Sequence, residues 1–313
     1  MTSTKSPVSL PNGFSARPPT ADDVETVVGL VAACDIAEYG VPDVDTEDVL
    51  AAWATPGFSL GKDNLIVESD AGDAVGYLEV LWGRAEAVVH PDRRGLGLGT
   101  YLLARAEQRA LERASSNQNE VGLSQVISTT DTAATRLLDD AAYAAGKIIW
   151  RMTIPLDEVI PPVWPDGVLP GVFESGDEQE VHTLVEETFG DNDYHEPQPF
   201  EEWKAFMMER DTFDPNLWII ARTDDQEIVG AALCPNYPDE GWVRQLSVKR
   251  SWRGRGLGMA LLRHAFMEFH RRGRKSASLT VDSYNRTGAK VLYERAGMTL
   301  EREYVTYTRR LRP

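Results

Sequence analysis

The stretch with the most evident chemistry is Arg253-Gly254-Arg255-Gly256-Leu257-Gly258-Met259. An apolar-alternating run, Trp242 to Val248, leads into it, and an amphipathic run from Met259 to about Phe269 leads out. A glycine-rich turn therefore joins a strand end to a helix start. Glycines there let the backbone approach a ligand closely. The first turn of the helix offers unpaired N–H groups and the positive end of its dipole, which suits phosphate. Arg253 and Arg255 add charge beside it.

Glycine spacing narrows the choice of ligand. A dinucleotide fingerprint wants G-x-G-x-x-G after a first strand and an acid about twenty residues on; a P-loop wants Gly-Lys-Ser/Thr. Neither is present, which removes nucleotide-dependent redox and kinase readings. The pattern R-x-x-G-x-G, read as Arg253, Gly256 and Gly258, resembles the pyrophosphate-binding loop of the GNAT superfamily of N-acetyltransferases. The resemblance implies that residues 253–259 grip the pyrophosphate of acetyl-CoA, a co-substrate.

The pattern occurs twice. Arg94-Gly95-Leu96-Gly97-Leu98-Gly99 repeats it, again after an apolar run (Ala85 to Val89) and before a helical one (Thr100 to about Glu112). Three further segments agree in the same order. Asn64–Val67 matches Leu217–Ile220, Ala74–Tyr77 matches Ile228–Ala231, and Ala134–Leu137 matches Ala289–Leu292. Such register predicts a duplicated domain.

The second half carries another signature similar to the GNAT pattern: Asn285, then Ala289, then Leu292-Tyr293 and Gly297-Met298. The resemblance implies Asn285 near the pantetheine and Tyr293 as the proton donor to the departing thiolate. It also implies splayed fourth and fifth strands, freeing backbone N–H groups around Leu246, Ser247 and Val248 to bond pantetheine and polarise the thioester carbonyl. An amine attacking a thioester creates an oxyanion and a thiolate, so donors for both are required. The bland reading of Tyr293 is a helix aromatic in the core. In the first half Leu138 stands where Tyr293 does, Thr130 where Asn285 does, and Ala142 where Gly297 does. That half is expected to be degenerate: structural, able to bind CoA without turnover through Arg94, Gly95, Gly97 and Gly99, or completing the acceptor site. The layout is similar to that of the tandem-GNAT mycothiol synthases, whose second domain does the chemistry. The glutamate that likeness would put on or near the fourth strand is not evident, since Trp242 occupies the region.

A base for the amine is sought among Glu240, just before the fourth strand, His195 and Glu196 in an acidic loop, and a water held by backbone. Glu240 is taken as the catalytic base, against the reading of a solvated turn carboxylate. The cluster around His195 fits no metal motif, and no metal is expected. The segment Asp177 to Asp211 is dense in acids; as a rim it would favour a cationic amine, and otherwise it is the solvated face of two helices.

The elements that must position these groups run in the same order in both halves. Expected first are a strand (Gly13 to Pro18), a helix from Val24, a helix over Thr46 to Trp53, and a hairpin of Asn64–Glu68 with Ala74–Trp82. After the glycine loop come a helix to about Arg113, a strand at Val121–Ser128, a helix at Thr132–Ala141 and a strand at Ile148–Leu156. Ile160 to Gly167, rich in proline, reads as the linker. The second half repeats this with helices at Asp177–Phe189 and Phe200–Met208, strands at Leu217–Arg222, Ile228–Cys234, Trp242–Val248, Ser276–Val281 and Tyr304–Leu311, and a helix at Thr287–Arg295. The fold class is α+β with a mixed sheet, as two tandem GNAT domains: 1–158, a linker over 159–170, and 171–313.

Composition supports this. The 313 residues suit two domains of ordinary size. A formal charge of -17 argues against nucleic acid or an anionic membrane as partner. No apolar run of spanning length and no secretory pattern at Met1 to Asn12 is read, and Cys34 and Cys234 fit buried free thiols, so a cytoplasmic monomer or homodimer is expected. Neither cysteine is adjacent in sequence to a glycine loop, which favours direct transfer to a small-molecule or peptide amine. The reading set against it is a silent acyl-CoA-binding sensor or scaffold.

Overall fold

The computed structural model describes residues 8–42, 44, 46–55, 57–81, 83–114, 120–191, 197–284 and 288–312. Two compact units form: the chain up to Lys147 together with the residues from Tyr304 on, and Ile148–Glu303.

In the first unit the order is β1 (Phe14–Arg17), α1 (Val24–Tyr39), α2 (Thr46–Trp53), a short α3 (Leu60–Asp63), β2 (Asn64–Ser69), β3 (Ala74–Leu81), β4 (Arg84–Val89), α4 (Leu98–Arg113), β5 (Val121–Ser128) and α5 (Thr132–Asp140). Gly40, left-handed at φ 81°, ends α1 by donating to Ile36 O at 2.9 Å. Asp131 starts α5 by accepting from the Ala133 and Ala134 N–H groups. β1 to β4 pair antiparallel in sequence order. One face of this sheet packs on α4 through Leu98, Leu102, Leu103 and Ala106; the other packs on α1 and α2 through Val27, Leu30 and Val49.

β6 (Ala144–Pro155) carries the chain into the second unit. There follow β7 (Val168–Val172), α6 (Glu178–Phe189), α7 (Phe200–Met208), β8 (Trp218–Thr223), β9 (Ile228–Leu233), β10 (Gly241–Trp242), β11 (Gln245–Val248), α8 (Leu257–Arg271), β12 (Ser276–Asp282), α9 (Ala289–Arg295) and β13 (Thr299–Leu311). Met152, Leu257, Leu261, Phe269 and Leu279 form a core on the α8 side. Val181, Leu184, Trp203, Trp218 and Leu233 form another under α6 and α7. Each such buried side chain contributes about 1.5–3 kcal/mol. Gly241 is glycine because a Cβ there would lie 2.3 Å from the Phe269 ring.

Two features differ from the sequence expectation. The strand expected as continuous over Trp242–Val248 is broken into β10 and β11. The strands closing the two repeats are exchanged. Ile149–Pro155 of β6 pairs antiparallel with β12, while Tyr304–Leu311 of β13 pairs antiparallel with β5 over Val121–Ser128. Each repeat thus supplies its last strand to the unit built by the other.

Candidate active site

The break between β10 and β11 creates the opening. Val243 N–H donates to Ser278 O on β12 at 2.9 Å, whereas Arg244 N–H donates to Leu233 O on β9 at 3.0 Å. The strand changes neighbour between these two residues. Beyond it β11 pairs only with β9 and forms the edge of a four-stranded sheet. Lys249 N–H bonds Val229 O at 3.0 Å. Antiparallel alternation then turns the Ser247 N–H toward β9 and the Leu246 and Val248 N–H groups toward the open edge. Of the three residues read as backbone donors, Leu246 and Val248 thus turn an N–H to the open edge and Ser247 turns its N–H to β9. The Ser247 side chain is fully buried, and its Oγ has no partner among the described residues.

The glycine loop lies at the start of α8. Gly256 is its N-cap, with φ 86° and ψ -1°, and no side chain caps the helix. Leu257, Gly258 and Met259 thus bring their N–H groups to a helix terminus suited to an anion. Gly254 is also left-handed, at φ 73°. Gly258 is needed for packing: a Cβ there would lie 3.1 Å from Leu292 Cδ2 and 3.7 Å from Val248 Cγ2. Arg253 does not point out as a free charge. Its Nη1 meets Asp191 at 2.6 Å and its Nε donates to Val248 O at 3.2 Å. Arg255 stacks over Trp252, 4.7 Å from the ring centroid, and remains exposed. Arg253 braces the loop; Arg255 is the cation left open beside it.

Leu292 brings its neighbour Tyr293 to this corner. Tyr293 is 8% exposed and belongs to the α8-side core, against which Leu246 and Val248 also pack. Its hydroxyl has no partner among the described residues. Burial pushes the phenol up to about 12, so the group keeps its proton at neutral pH.

Glu240 sits on the other face. Its Oε2 is 2.8 Å from Arg151 Nη2, and its Oε1 accepts from Ser278 Oγ. Arg151 also pairs with Glu301 at 2.8 Å and lies over Trp242, 5.3 Å from the ring centroid. Both oxygens of Glu240 are therefore engaged. Asn285, His195 and Glu196 lie outside the described residues. Several acids of the 177–211 segment are spent within the fold, while Glu201, Glu202, Glu209 and Asp211 are exposed. Asp177 pairs with Arg222, Glu180 accepts from Ile228 N–H, Glu187 from Arg250 N–H, and Asp191 holds Arg250 and Arg253. Two residues not singled out from the sequence, Arg210 and Arg244, meet at Phe206 of α7 and have no carboxylate partner among the described residues.

The first unit keeps the frame of the loop, with a leucine at the position of Tyr293. Gly97 caps α4 at φ 86° and ψ -1°, and Gly95 is left-handed at φ 79°. Gly99 faces Leu137 as Gly258 faces Leu292, at 3.1 Å for a Cβ. β4 and β5 pair only at Arg84 and Ser124, so β4 also has an open edge. Arg94 is tied to Glu38 at 2.9 Å. Leu138, where Tyr293 stands, is 2% exposed in the core. Ala142 has φ 59° where Gly297 has φ 98°, so the repeat alignment holds at the backbone. Two details set this loop apart: exposed Leu96 replaces Arg255, and a Cβ on Gly97 would meet Pro11 Cγ at 3.4 Å. Cys34 Sγ, 3.4 Å from Val89 O, lies closer to this loop than its sequence position suggested, with its thiol pushed up to about 11 by burial.

Comparison with known proteins agrees with this architecture. Residues 26–139 and 179–298 each match the acetyltransferase (GNAT) family. The mycothiol acetyltransferase of Thermobispora bispora is 30% identical over 300 residues, covering 93% of this chain and 97% of that protein. The mycothiol acetyltransferase of Streptomyces griseus is 30% identical over 226 residues, 69% of this chain and 68% of that protein. A GCN5-related N-acetyltransferase from Sphaerobacter thermophilus superposes with a TM-score of 0.86 at 36% identity, covering 97% of this chain and 98% of its own. A tandem GNAT protein from the clavulanic acid biosynthesis pathway shares the fold with a TM-score of 0.74 at 17% identity, over 96% of this chain and 99% of its own. With two matched segments in register with two glycine loops, the chain belongs to the GNAT family and is a tandem-repeat N-acetyltransferase.

Proposed function

We propose that the chain transfers an acetyl group from acetyl-CoA to a primary amine of a small molecule or peptide by direct attack, and that the second repeat does the chemistry. The observation that carries this is the pairing, in one unit, of an open β11 edge with a buried, protonated Tyr293. Acyl-CoA is the donor class of GNAT-fold acyltransferases. The α8 terminus offers N–H groups to the pyrophosphate, and Arg255 adds charge. Leu246 and Val248 N–H groups bond pantetheine and polarise the thioester carbonyl. The amine nitrogen forms a bond to the carbonyl carbon, the C–S bond breaks, and the thiolate takes the Tyr293 proton. The nitrogen, cationic once its bond to the carbonyl carbon has formed, loses a proton to water to leave the neutral amide, and Tyr293 is reprotonated from solvent. Neither buried thiol takes part.

Glu240 has both carboxylate oxygens engaged, Oε2 by Arg151 and Oε1 by Ser278. We assign it the task of fixing Arg151 against Trp242, and let the amine enter as its free-base fraction. Asn285 is assigned to the pantetheine on the family pattern alone. The first repeat is read as degenerate, and the enzyme as cytoplasmic and monomeric or dimeric. No helix of the described residues is long and apolar enough to cross a membrane.

The test is release of CoA thiol from acetyl-CoA with a panel of amines, for wild type and Tyr293→Phe. Since relatives are mycothiol acetyltransferases, the amine precursor of mycothiol belongs in the panel. Amine-dependent release that falls at least tenfold in the variant supports the reading. Tight acetyl-CoA binding with no release for any amine replaces it with a silent binding protein.

A further inference from the structure

Arg210 and Arg244 converge on one aromatic ring. The Arg210 guanidinium carbon lies 4.1 Å from the centroid of Phe206, and that of Arg244 lies 5.4 Å away. Arg244 Nη2 donates to Tyr237 OH at 2.7 Å. Among the described residues no carboxylate pairs with either guanidinium. Partial desolvation and the neighbouring Arg244 charge hold Arg210, an exposed residue, below its ordinary value. The contrast with the rest of the unit is sharp: Arg151, Arg222, Arg250, Arg253 and Arg272 each have an acid. In a chain with 49 acidic and 32 basic residues, two adjacent guanidiniums with no carboxylate partner among the described residues form a local excess of positive charge.

The pair is built, not loose. Phe213 N–H donates to Arg210 O at 2.9 Å, and the Phe213 ring packs edge-on to Trp218 at 5.0 Å. Asn236 N–H donates to Thr212 O at 2.8 Å, which ties the Arg210 loop to the segment carrying Tyr237. Arg244 occupies the residue at which the strand leaves β12 for β9. Its side chain turns to Phe206 on α7, away from the α8 face where the glycine loop lies. Along a strand, Arg244 is about 7 Å from Leu246, whose N–H faces the open edge. A group bound by the arginines would thus approach the thioester from the face opposite the phosphate loop. Planar guanidinium forks match the two oxygens of a carboxylate or phosphate.

We infer that the acceptor is a small amine that also carries an oxyanion, a carboxylate or a phosphate, which docks on Arg210 and Arg244 while the amine reaches the open edge of β11. This rests on the acetyltransferase reading above. It replaces the cationic acceptor expected from the acid-rich 177–211 segment, in which Asp177, Glu180 and Asp191 are occupied within the fold.

The test compares amines matched except for charge, using the whole chain with acetyl-CoA: β-alanine against β-alanine amide, and O-phosphoethanolamine against ethanolamine. At least one oxyanion-bearing amine should exceed its neutral counterpart tenfold or more in kcat/KM, and the pair that shows it identifies carboxylate or phosphate. Arg210→Ala and Arg244→Gln should each remove that preference by raising the acceptor KM more than they lower kcat, with Arg210→Lys recovering part of it. Equal use of charged and neutral amines, or a preference that survives in both variants, overturns the inference. If no amine releases CoA, the acetyltransferase reading fails, and the anion site is judged by titration calorimetry with succinate and with inorganic phosphate. Binding of either that is lost in the double variant sustains the site. No binding, or equal binding in the variant, ends it.

Discussion

Gly97 and Gly256 share one backbone conformation, φ 86° and ψ -1°, each capping the helix of its own repeat. A residue with a Cβ in that region costs about 1–2 kcal/mol. Gly97→Ala and Gly256→Ala should therefore destabilise the protein by similar amounts, read as comparable losses in thermal midpoint. Their effects on catalysis should part. Only Gly256→Ala disturbs the loop whose repeat carries Tyr293, so only it should raise the acetyl-CoA KM, by about tenfold if the strain falls on the bound state. Equal KM effects would mean that both loops serve turnover.

Tyr293→Phe separates chemistry from folding. The hydroxyl has no partner among the described residues, so its removal should shift stability by well under 1 kcal/mol, while kcat falls at least tenfold. The pH dependence has a definite sign. A donor must be protonated, and burial has moved this phenol up to about 12. The kcat profile should rise with pH as the amine loses its proton and show no decline from Tyr293 up to about pH 10. A descending limb near pH 8–9 that vanishes in the variant would contradict the raised phenol.

Much of this site could be read from the chain, and the exceptions have physical causes. Thr46–Trp53, Phe200–Met208 and Val121–Ser128 form the expected elements with the expected bounds, because their apolar spacing and end signals agree. The break after Trp242 is subtler. Arg244 and Gln245 are two polar residues in succession inside an alternating run, the mark of a bulge, but Val243 and Leu246 on either side both enter the α8-side core and hide it. The Arg210–Arg244 pair has no sequence signature, because only the packing of α7 beside the broken strand brings the two together. The strand exchange is likewise silent: β6 and β13 read as ordinary closing strands, and alternation does not say which sheet a strand will join.

The ion pair of Glu240 and Arg151 yields a test of the base. If Glu240 is an anchor, Glu240→Gln loses a charge-assisted contact, costing about 1–3 kcal/mol of stability. Its kcat/KM should keep the wild-type pH profile and fall less than tenfold. A base would behave otherwise: activity would drop by about 100-fold or more, and the acidic limb of the profile would change shape. Arg151→Ala should reproduce the stability loss without altering the profile.

The exchanged strands make the two repeats mutually dependent. Tyr307 and Leu311 of β13 are buried in the core of the first unit, and their pairing with β5 runs over eight residues, Tyr304 to Leu311. Losing two such side chains alone removes about 3–6 kcal/mol, a large share of the roughly 5–15 kcal/mol that holds a domain folded. It also leaves the β5 edge open to aggregation. A cut at the proline-rich linker should therefore give fragments 1–158 and 159–313 that are each poorly folded, the first without β13 and the second without β6. Co-expression should restore a complex with a cooperative melt and with CoA-releasing activity. A soluble, active fragment 171–313 obtained alone would show that β6 is dispensable to the sheet bearing β12, and that the catalytic repeat is complete within its own sequence.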